Sequence, residues 1–171
     1  MDSAYLESSV YIAIFNGEDE AREVQALVRE IRKERAKICT SILTVQEVSV
    51  VCYRSGGTQV DNYSKVERMT DRIYGVNREI VLIAAQLEAQ ILDRAKATAK
   101  EKPERQQENK RRKMDCFHIA TALHLNCHRL YSFDPHFESY ATLPIVRSLT
   151  IAKPKPKGTE LFGTQPGLRI N

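Results

Sequence analysis

The sequence contains no tryptophan, no long hydrophobic run and no paired cysteine motif. No apolar stretch approaches the roughly 20 residues that span a bilayer, so we expect no membrane association. The first residues are not basic and lead into no long apolar segment, which argues against a signal peptide. None of the four cysteines forms a C-x-x-C pair. Zinc ribbons and dithiol redox motifs are therefore not expected, and the reducing cytoplasm is the expected location.

Two further motif classes are missing. The sequence has neither G-x-x-x-x-G-K-S/T nor G-x-G-x-x-G, which removes support for nucleotide-binding classes. Aromatic residues make up only 7% and are spread out, so we expect no stacking platform for single-stranded nucleic acid. The histidines are interpreted as core or solvent-facing residues, with contact to phosphate by His118 or His136 as the alternative.

The composition is that of one globular domain, with 171 residues of which 42% are hydrophobic and 28% charged. The net charge of +4 is divided unevenly along the chain. Residues 1–92 carry 11 Lys/Arg and 14 Asp/Glu, whereas residues 93–171 carry 15 and 8. This asymmetry favours a basic surface that binds nucleic acid, although many soluble proteins are mildly basic as well.

Short apolar runs alternate with amphipathic segments throughout the chain. Strands are predicted at residues 4–6, 37–41, 80–83, 129–133 and 144–146, and helices at 10–15, 18–36, 44–54, 60–74, 84–99 and 114–126. The polar segment 100–113 is either an exposed loop or an extended helix end. This alternation predicts an α/β fold, a three-layer α/β/α sandwich with a central parallel sheet. We expect a domain over 1–150 and an extended C-terminal tail over 151–171.

Four acidic residues occupy positions where a parallel sheet forms its sites, beyond the carboxyl ends of the strands. Glu7 and Asp134 follow the first and fourth of these strands, Glu47 lies near the start of a helix, and Asp115 begins another. Clustered carboxylates repel one another unless a cation binds them, and oxygen ligands suit Mg²⁺ or Mn²⁺. Local roles remain open, since Glu47 has capping-box spacing from Thr44, Asp115 suits a helix N-terminus and Asp134 suits a turn.

Four segments in this order resemble a known family. They are YLESSV at 5–10, TSILTVQEV at 40–48, DCFHIATA at 115–122 and LYSFDPHF at 130–137. Together they are similar to the PIN domain, most of all to the small prokaryotic VapC-type toxins, over residues 4 to about 147.

The resemblance implies a metal-dependent endoribonuclease with Mg²⁺ or Mn²⁺ as cofactor, and the role of the toxin in a toxin–antitoxin pair. Cleavage of DNA instead of RNA is an alternative that the sequence leaves open. The partners of such a toxin would be RNA, an antitoxin protein and a second copy in a homodimer. Several residues match the family pattern. The matching metal ligands and catalytic acids are Glu7, Glu47, Asp115 and Asp134, and the supporting hydroxyls are Ser8, Ser9 and Ser132. The residues expected to hold the RNA backbone are Lys110, Arg111, Arg112 and Lys113.

The first acid departs from the family pattern, because that position is normally Asp and here it is Glu7. The additional methylene extends the carboxylate by roughly 1.5 Å, the length of a carbon–carbon bond, and Mg²⁺ demands near-octahedral geometry. The alternative hypothesis is therefore a degenerate PIN-like module that binds RNA or protein and has a weakened metal site.

Overall fold

Five parallel strands form the central sheet, in the order β3-β2-β1-β4-β5. The computed structural model describes residues 2–17, 19–56, 59–98 and 105–155, without the side chains of 59–62, 95–98 and 105–111. The strands are β1 (Ser3–Leu6), β2 (Lys37–Ser41), β3 (Arg72–Tyr74), β4 (Arg129–Tyr131) and β5 (Thr150–Ala152). Their carboxyl ends all lie at one edge, because every pair is parallel.

Helices cover both faces of the sheet, which confirms the predicted α/β/α architecture. They are α1 (Ser8–Phe15), α2 (Ala21–Lys33), α3 (Ile42–Arg54), α4 (Gln59–Met69), α5 (Arg78–Thr98) and α6 (Arg105–His124). Ala4 and Leu6 of β1 pack into one apolar core with α1 to α4. Tyr5, on the opposite face, packs into a second core with α5 and α6. Successive side chains of a strand point to opposite faces of the sheet, so neighbouring residues of β1 pack into different cores.

Two of the predicted strands are wrong. Residues 80–83 belong to α5, in which Ile80, Ala84 and Leu87 are buried on one helical face. Residues 144–146 form a 3-10 helix, Pro144–Val146. The edge strands are instead β3, which lies within a predicted helix, and β5, whose Ile151 and Ala152 fall in the predicted tail.

The helix boundaries also differ from the prediction, and α3 and α6 show how. Ser41, not Thr44, is the N-cap of α3, and its side chain accepts a hydrogen bond from the Leu43 amide. Thr44 is buried, and its hydroxyl accepts a hydrogen bond from Thr40. Residues 105–113 are the first half of α6, so this part of the polar segment is an extended helix end.

The remaining tail residues, 156–171, lie outside the described residues. Across the part of the chain that is described, we find no helix long and apolar enough to cross a membrane.

Candidate metal centre

Glu7 lies at the junction between β1 and α1, where the chain leaves the sheet. Its backbone amide donates to the carbonyl of Tyr131 at the end of β4, over 3.1 Å. Its side chain is the N-cap of α1 and accepts from the Ser9 amide over 3.0 Å. The side chain is only 6% exposed, so the carboxylate is fixed at the carboxyl edge of the sheet.

Three serine hydroxyls surround the Glu7 carboxylate. Ser8 donates to Oε1, whereas Ser9 and Ser132 donate to Oε2, the latter over 2.9 Å. Ser132 follows β4, so this contact joins the ends of two adjacent strands. The structure therefore brings all three predicted supporting hydroxyls to the first acid.

Glu47 approaches the same place from the second turn of α3. Its Oε2 lies 2.8 Å from Nε2 of His118 on α6, and its side chain is 27% exposed. Burial alone would raise the pKa of the Glu47 carboxyl, but the hydrogen bond and charge of His118 hold that pKa below its ordinary value. Because Ser41 is the N-cap of α3 and the Glu47 carboxylate contacts His118, Glu47 is not the capping-box partner of Thr44.

His118 is almost completely buried, with 1% exposure. Its Nδ1 lies 2.7 Å from the hydroxyl of Tyr5, which is fully buried in β1. Burial would lower the pKa of His118, but the hydrogen bond to Glu47 and the charges of Glu7, Glu47 and Asp115 leave it raised. The imidazole thus experiences the field of three acids.

Glu7, Glu47 and His118 form a group whose potential ligand atoms all lie within 4.8 Å of one another. Asp115 and Asp134 are not members of this group. Asp115, 7% exposed, lies on α6 one turn before His118. Asp134 is half-buried at the N-cap of the 3-10 helix Pro135–Ser139, where its side chain accepts from the His136 amide over 2.9 Å.

Asp134 nevertheless connects to Glu7 through one residue. Its amide donates to Ser132 Oγ over 3.0 Å, and Ser132 donates in turn to Glu7. Glu7 and Asp134 therefore belong to one hydrogen-bond network at the ends of β1 and β4.

The basic run lies in the helix that carries Asp115. Lys113 is exposed and Arg112 is half-buried, and the carbonyl of Arg112 accepts a bond from the Tyr140 hydroxyl over 3.3 Å. For Lys110 and Arg111 the structure describes only the backbone, within α6.

Sequence reasoning did not place His118 among the acids, since it favoured a core or solvent-facing histidine with contact to phosphate as the alternative. A signal was present, because Asp115 and His118 are three residues apart and so share one face of a helix. The sequence favours a core role for a histidine on an apolar helix, and His118 is indeed buried there. Its contact with Glu47, 71 residues away, depends on how α3 and α6 are placed by the sheet.

The PIN domain family model matches residues 4–143. No curated protein matches the chain at a significant level. Among solved structures, VapBC2 from Rickettsia felis, bound to a promoter DNA fragment, matches with a TM-score of 0.59 and 12% identity, covering 88% of this chain and 97% of that one.

Two other solved structures are similar. A toxin–antitoxin complex from Klebsiella pneumoniae has a TM-score of 0.55 and 16% identity over 86% of this chain and 95% of that one. VapC20 of Mycobacterium tuberculosis, described as a Sarcin-Ricin loop cleaving toxin, has a TM-score of 0.54 and 13% identity, with coverages of 82% and 97%. At these identities the likeness establishes the fold.

Proposed function

Because the chain belongs to the PIN-domain family, we propose that it is a metal-dependent endoribonuclease, a hydrolase that cuts RNA phosphodiester bonds. The observation that carries this proposal is the convergence of Glu7 and Glu47 beside His118, with potential ligand atoms within 4.8 Å. Both carboxylates lie just beyond parallel strands, where open α/β sheets bind their ligands. Two neighbouring carboxylates at such a position repel each other, which favours the binding of a cation between them.

The donor set fits Mg²⁺ or Mn²⁺, since it consists mainly of carboxylate oxygens. Glu7 and Glu47 would hold the ion, and Asp115 and Asp134 would complete the acidic site. A divalent ion at this position would polarise a phosphoryl oxygen and lower the pKa of an attacking water. The hydroxyls of Ser8, Ser9 and Ser132 orient Glu7, as hydrogen-bonded carboxylate ligands require.

The basic run on α6 would hold the RNA backbone, since Lys and Arg neutralise phosphates without regard to sequence. Arg112 and Lys113 precede Asp115 by three and two residues, so the run lies close along the chain to the site. Lys110 and Arg111 would extend this contact along the helix.

We also propose that the chain is the toxin of a toxin–antitoxin pair, acting in the cytoplasm, with an antitoxin protein as partner and a homodimer as its assembly. Support comes from the similar solved structures, which include toxin–antitoxin complexes. RNA as substrate is supported by the Sarcin-Ricin loop cleaving toxin among them. Co-expression with the product of the adjacent gene, followed by purification of a complex, tests the antitoxin part.

Asp115→Asn tests the enzyme. We expect the purified wild-type chain to cut RNA with Mg²⁺ or Mn²⁺, and the variant to lose this activity by at least about 100-fold, because a neutral amide is a poorer ligand for a hard cation. The measurement is cleavage of a labelled RNA on a denaturing gel.

Asp93→Asn, an exposed change on α5, is the matched control and should cut like the wild type. Robust cleavage by Asp115→Asn, or by the wild type in excess chelator, would contradict the proposal.

A second candidate function is a binding module with a weakened metal site. The observation that favours it is the saturation of Glu7 Oε2, which accepts from the Ser9 amide, the Ser9 hydroxyl and the Ser132 hydroxyl. Such a carboxylate could serve the fold alone. A chain that binds RNA without cutting it in either metal would favour this candidate.

A further inference from the structure

His118 connects the core of the protein to Glu47. Its Nε2 lies 2.8 Å from Glu47 Oε2, and its Nδ1 lies 2.7 Å from the Tyr5 hydroxyl. Both ring nitrogens are therefore engaged, on a side chain with 1% exposure. Tyr5 itself is fully buried, and its ring meets the imidazole edge-on with centroids 5.9 Å apart.

The direction of these bonds follows from the chemistry of the partners. A carboxylate only accepts hydrogen bonds, so Nε2 must carry the proton that it shares with Glu47. In the neutral imidazole, Nδ1 then accepts from the Tyr5 hydroxyl; in the imidazolium, Nδ1 donates to it. In either case an N–H group of fixed direction faces Glu47.

Tyr5 is suited to fix the ring. It belongs to β1, the central strand, and burial raises the pKa of its hydroxyl while the nearby side chains of Thr44 on α3 and Thr40 on β2 partly oppose that rise. Thr44 is held by Thr40, whose hydroxyl also lies 2.7 Å from the Leu6 carbonyl. The imidazole is thus bonded to Tyr5 of β1, which in turn lies beside the buried, hydrogen-bonded pair Thr40 of β2 and Thr44 of α3.

We propose that His118 is a positioning residue that aims the Glu47 carboxylate at the metal, and that Tyr5 holds His118 in that orientation. The inference rests on the proposed function, since it assigns to His118 and Tyr5 the role of holding a ligand of the proposed metal ion without contacting the ion themselves. Hydrogen bonds from a second layer commonly fix carboxylate ligands and set their affinity for the ion. His118 is then not a ligand, because binding an ion through Nε2 would break its bond to Glu47.

The test compares three variants of the full chain with the wild type: His118→Leu, His118→Gln and Tyr5→Phe. His118→Gln keeps an N–H donor at a reach similar to Nε2, whereas His118→Leu removes it. His124→Gln is the matched control, because His124 lies on the same helix and contacts Asn77 instead. The readouts are the dissociation constants for Mg²⁺ and Mn²⁺ by calorimetry, and the rise in melting temperature that each ion causes.

We expect His118→Leu to weaken the binding of both ions by roughly 10- to 100-fold and to reduce the ion-induced rise in melting temperature. His118→Gln should recover part of this loss. Tyr5→Phe should weaken binding by roughly 2- to 10-fold, the effect of losing one hydrogen bond. His124→Gln should bind both ions as the wild type does.

Several results would overturn the inference. If His118→Leu lowers the melting temperature of the metal-free chain but binds both ions normally, the residue is only structural. If it loses Mn²⁺ far more than Mg²⁺, His118 is a nitrogen ligand, because imidazole favours the transition metal.

The two proposals fail in different ways. A wild-type chain that binds Mn²⁺ but leaves RNA intact contradicts the nuclease, and the affinities of the variants still decide the role of His118. A wild-type chain that binds neither ion overturns both. Should His118→Leu not fold, His118→Gln and Tyr5→Phe supply the same comparison.

Discussion

At the scale of single residues, Glu7 shows how a longer acid is accommodated at a position where the sequence resemblance implies Asp. Its carboxylate reaches the hydroxyl of Ser132 across the end of β4 while its own backbone stays in register with Tyr131. A side chain one methylene shorter would withdraw the carboxylate by roughly 1.5 Å. The bond from Ser132 to Oε2 therefore depends on the length of the Glu7 side chain.

We predict that Glu7→Asp lowers metal-dependent RNA cleavage by roughly 10-fold, because the hydrogen bonds that orient the ligand are broken. The initial rate of cleavage in Mg²⁺ and Mn²⁺ is the measurement, with Glu138→Asp, at an exposed site, as control. An inactive wild type that gains strong cleavage on this substitution would instead identify the binding module.

Secondary-structure elements could be predicted well where their signal was local. Residues 37–41 follow a charged run and form β2 with the predicted bounds. The edge strand β3 was missed because three residues carry little periodicity and pair only with β2. Residues 80–83 form a short apolar run, which looks alike in a strand and in a buried helix.

The residues of the candidate site also differ in how well the sequence predicted them. Glu7 was identifiable from the sequence because it directly follows a strand, whereas Ser132 was identified only through the resemblance to the PIN domain. The role of His118 was not, since its partners Tyr5 and Glu47 are 113 and 71 residues away. The spacing along α6 indicates that Asp115 and His118 share a face of the helix. Which residues that face contacts depends on how the sheet places α3 and β1 against it.

The amphipathic helix α2 offers a test of packing. Ile31 is fully buried in the core that α2 forms with β1 and β2. We predict that Ile31→Ala lowers the free energy of unfolding by about 2–5 kcal/mol, the usual cost of such a cavity. Urea unfolding followed by circular dichroism measures it. Arg29→Ala, exposed on the same helix, should change stability by less than about 0.5 kcal/mol.

For the whole molecule, the charge asymmetry determines which part of the chain we expect to contact RNA. Residues 93–171 carry 15 Lys/Arg against 8 Asp/Glu, and the densest basic run lies in α6 directly before Asp115. Cationic side chains release counterions from the nucleic acid, so binding through them weakens as salt rises. Affinity for RNA should therefore be a property of this helix rather than of the net charge.

We predict that replacing the four residues of 110–113 by Gln, in the Asp115→Asn background, weakens RNA binding and reduces its salt dependence. The slope of log affinity against log salt should fall by about 0.7 for each phosphate of a single strand that the variant no longer neutralises. Fluorescence anisotropy at several salt concentrations measures it.

The control makes the same charge change on the exposed face of α2, at Arg22, Arg29, Arg32 and Lys33. An equal fall in affinity in the control would show that only the total charge matters.

The hydrogen bonds of the candidate metal centre also determine when during synthesis this site can form. Ser132 donates to Glu7 across 125 residues, and Tyr5 meets His118 across 113. The contact of Tyr5 with His118 cannot form until α6 has been synthesised, and the bond from Ser132 cannot form until the chain has passed β4. The candidate centre is consequently assembled from both ends of the polypeptide, and a chain that ends before α6 contains Glu7 and Glu47 without the contacts from His118 and Ser132.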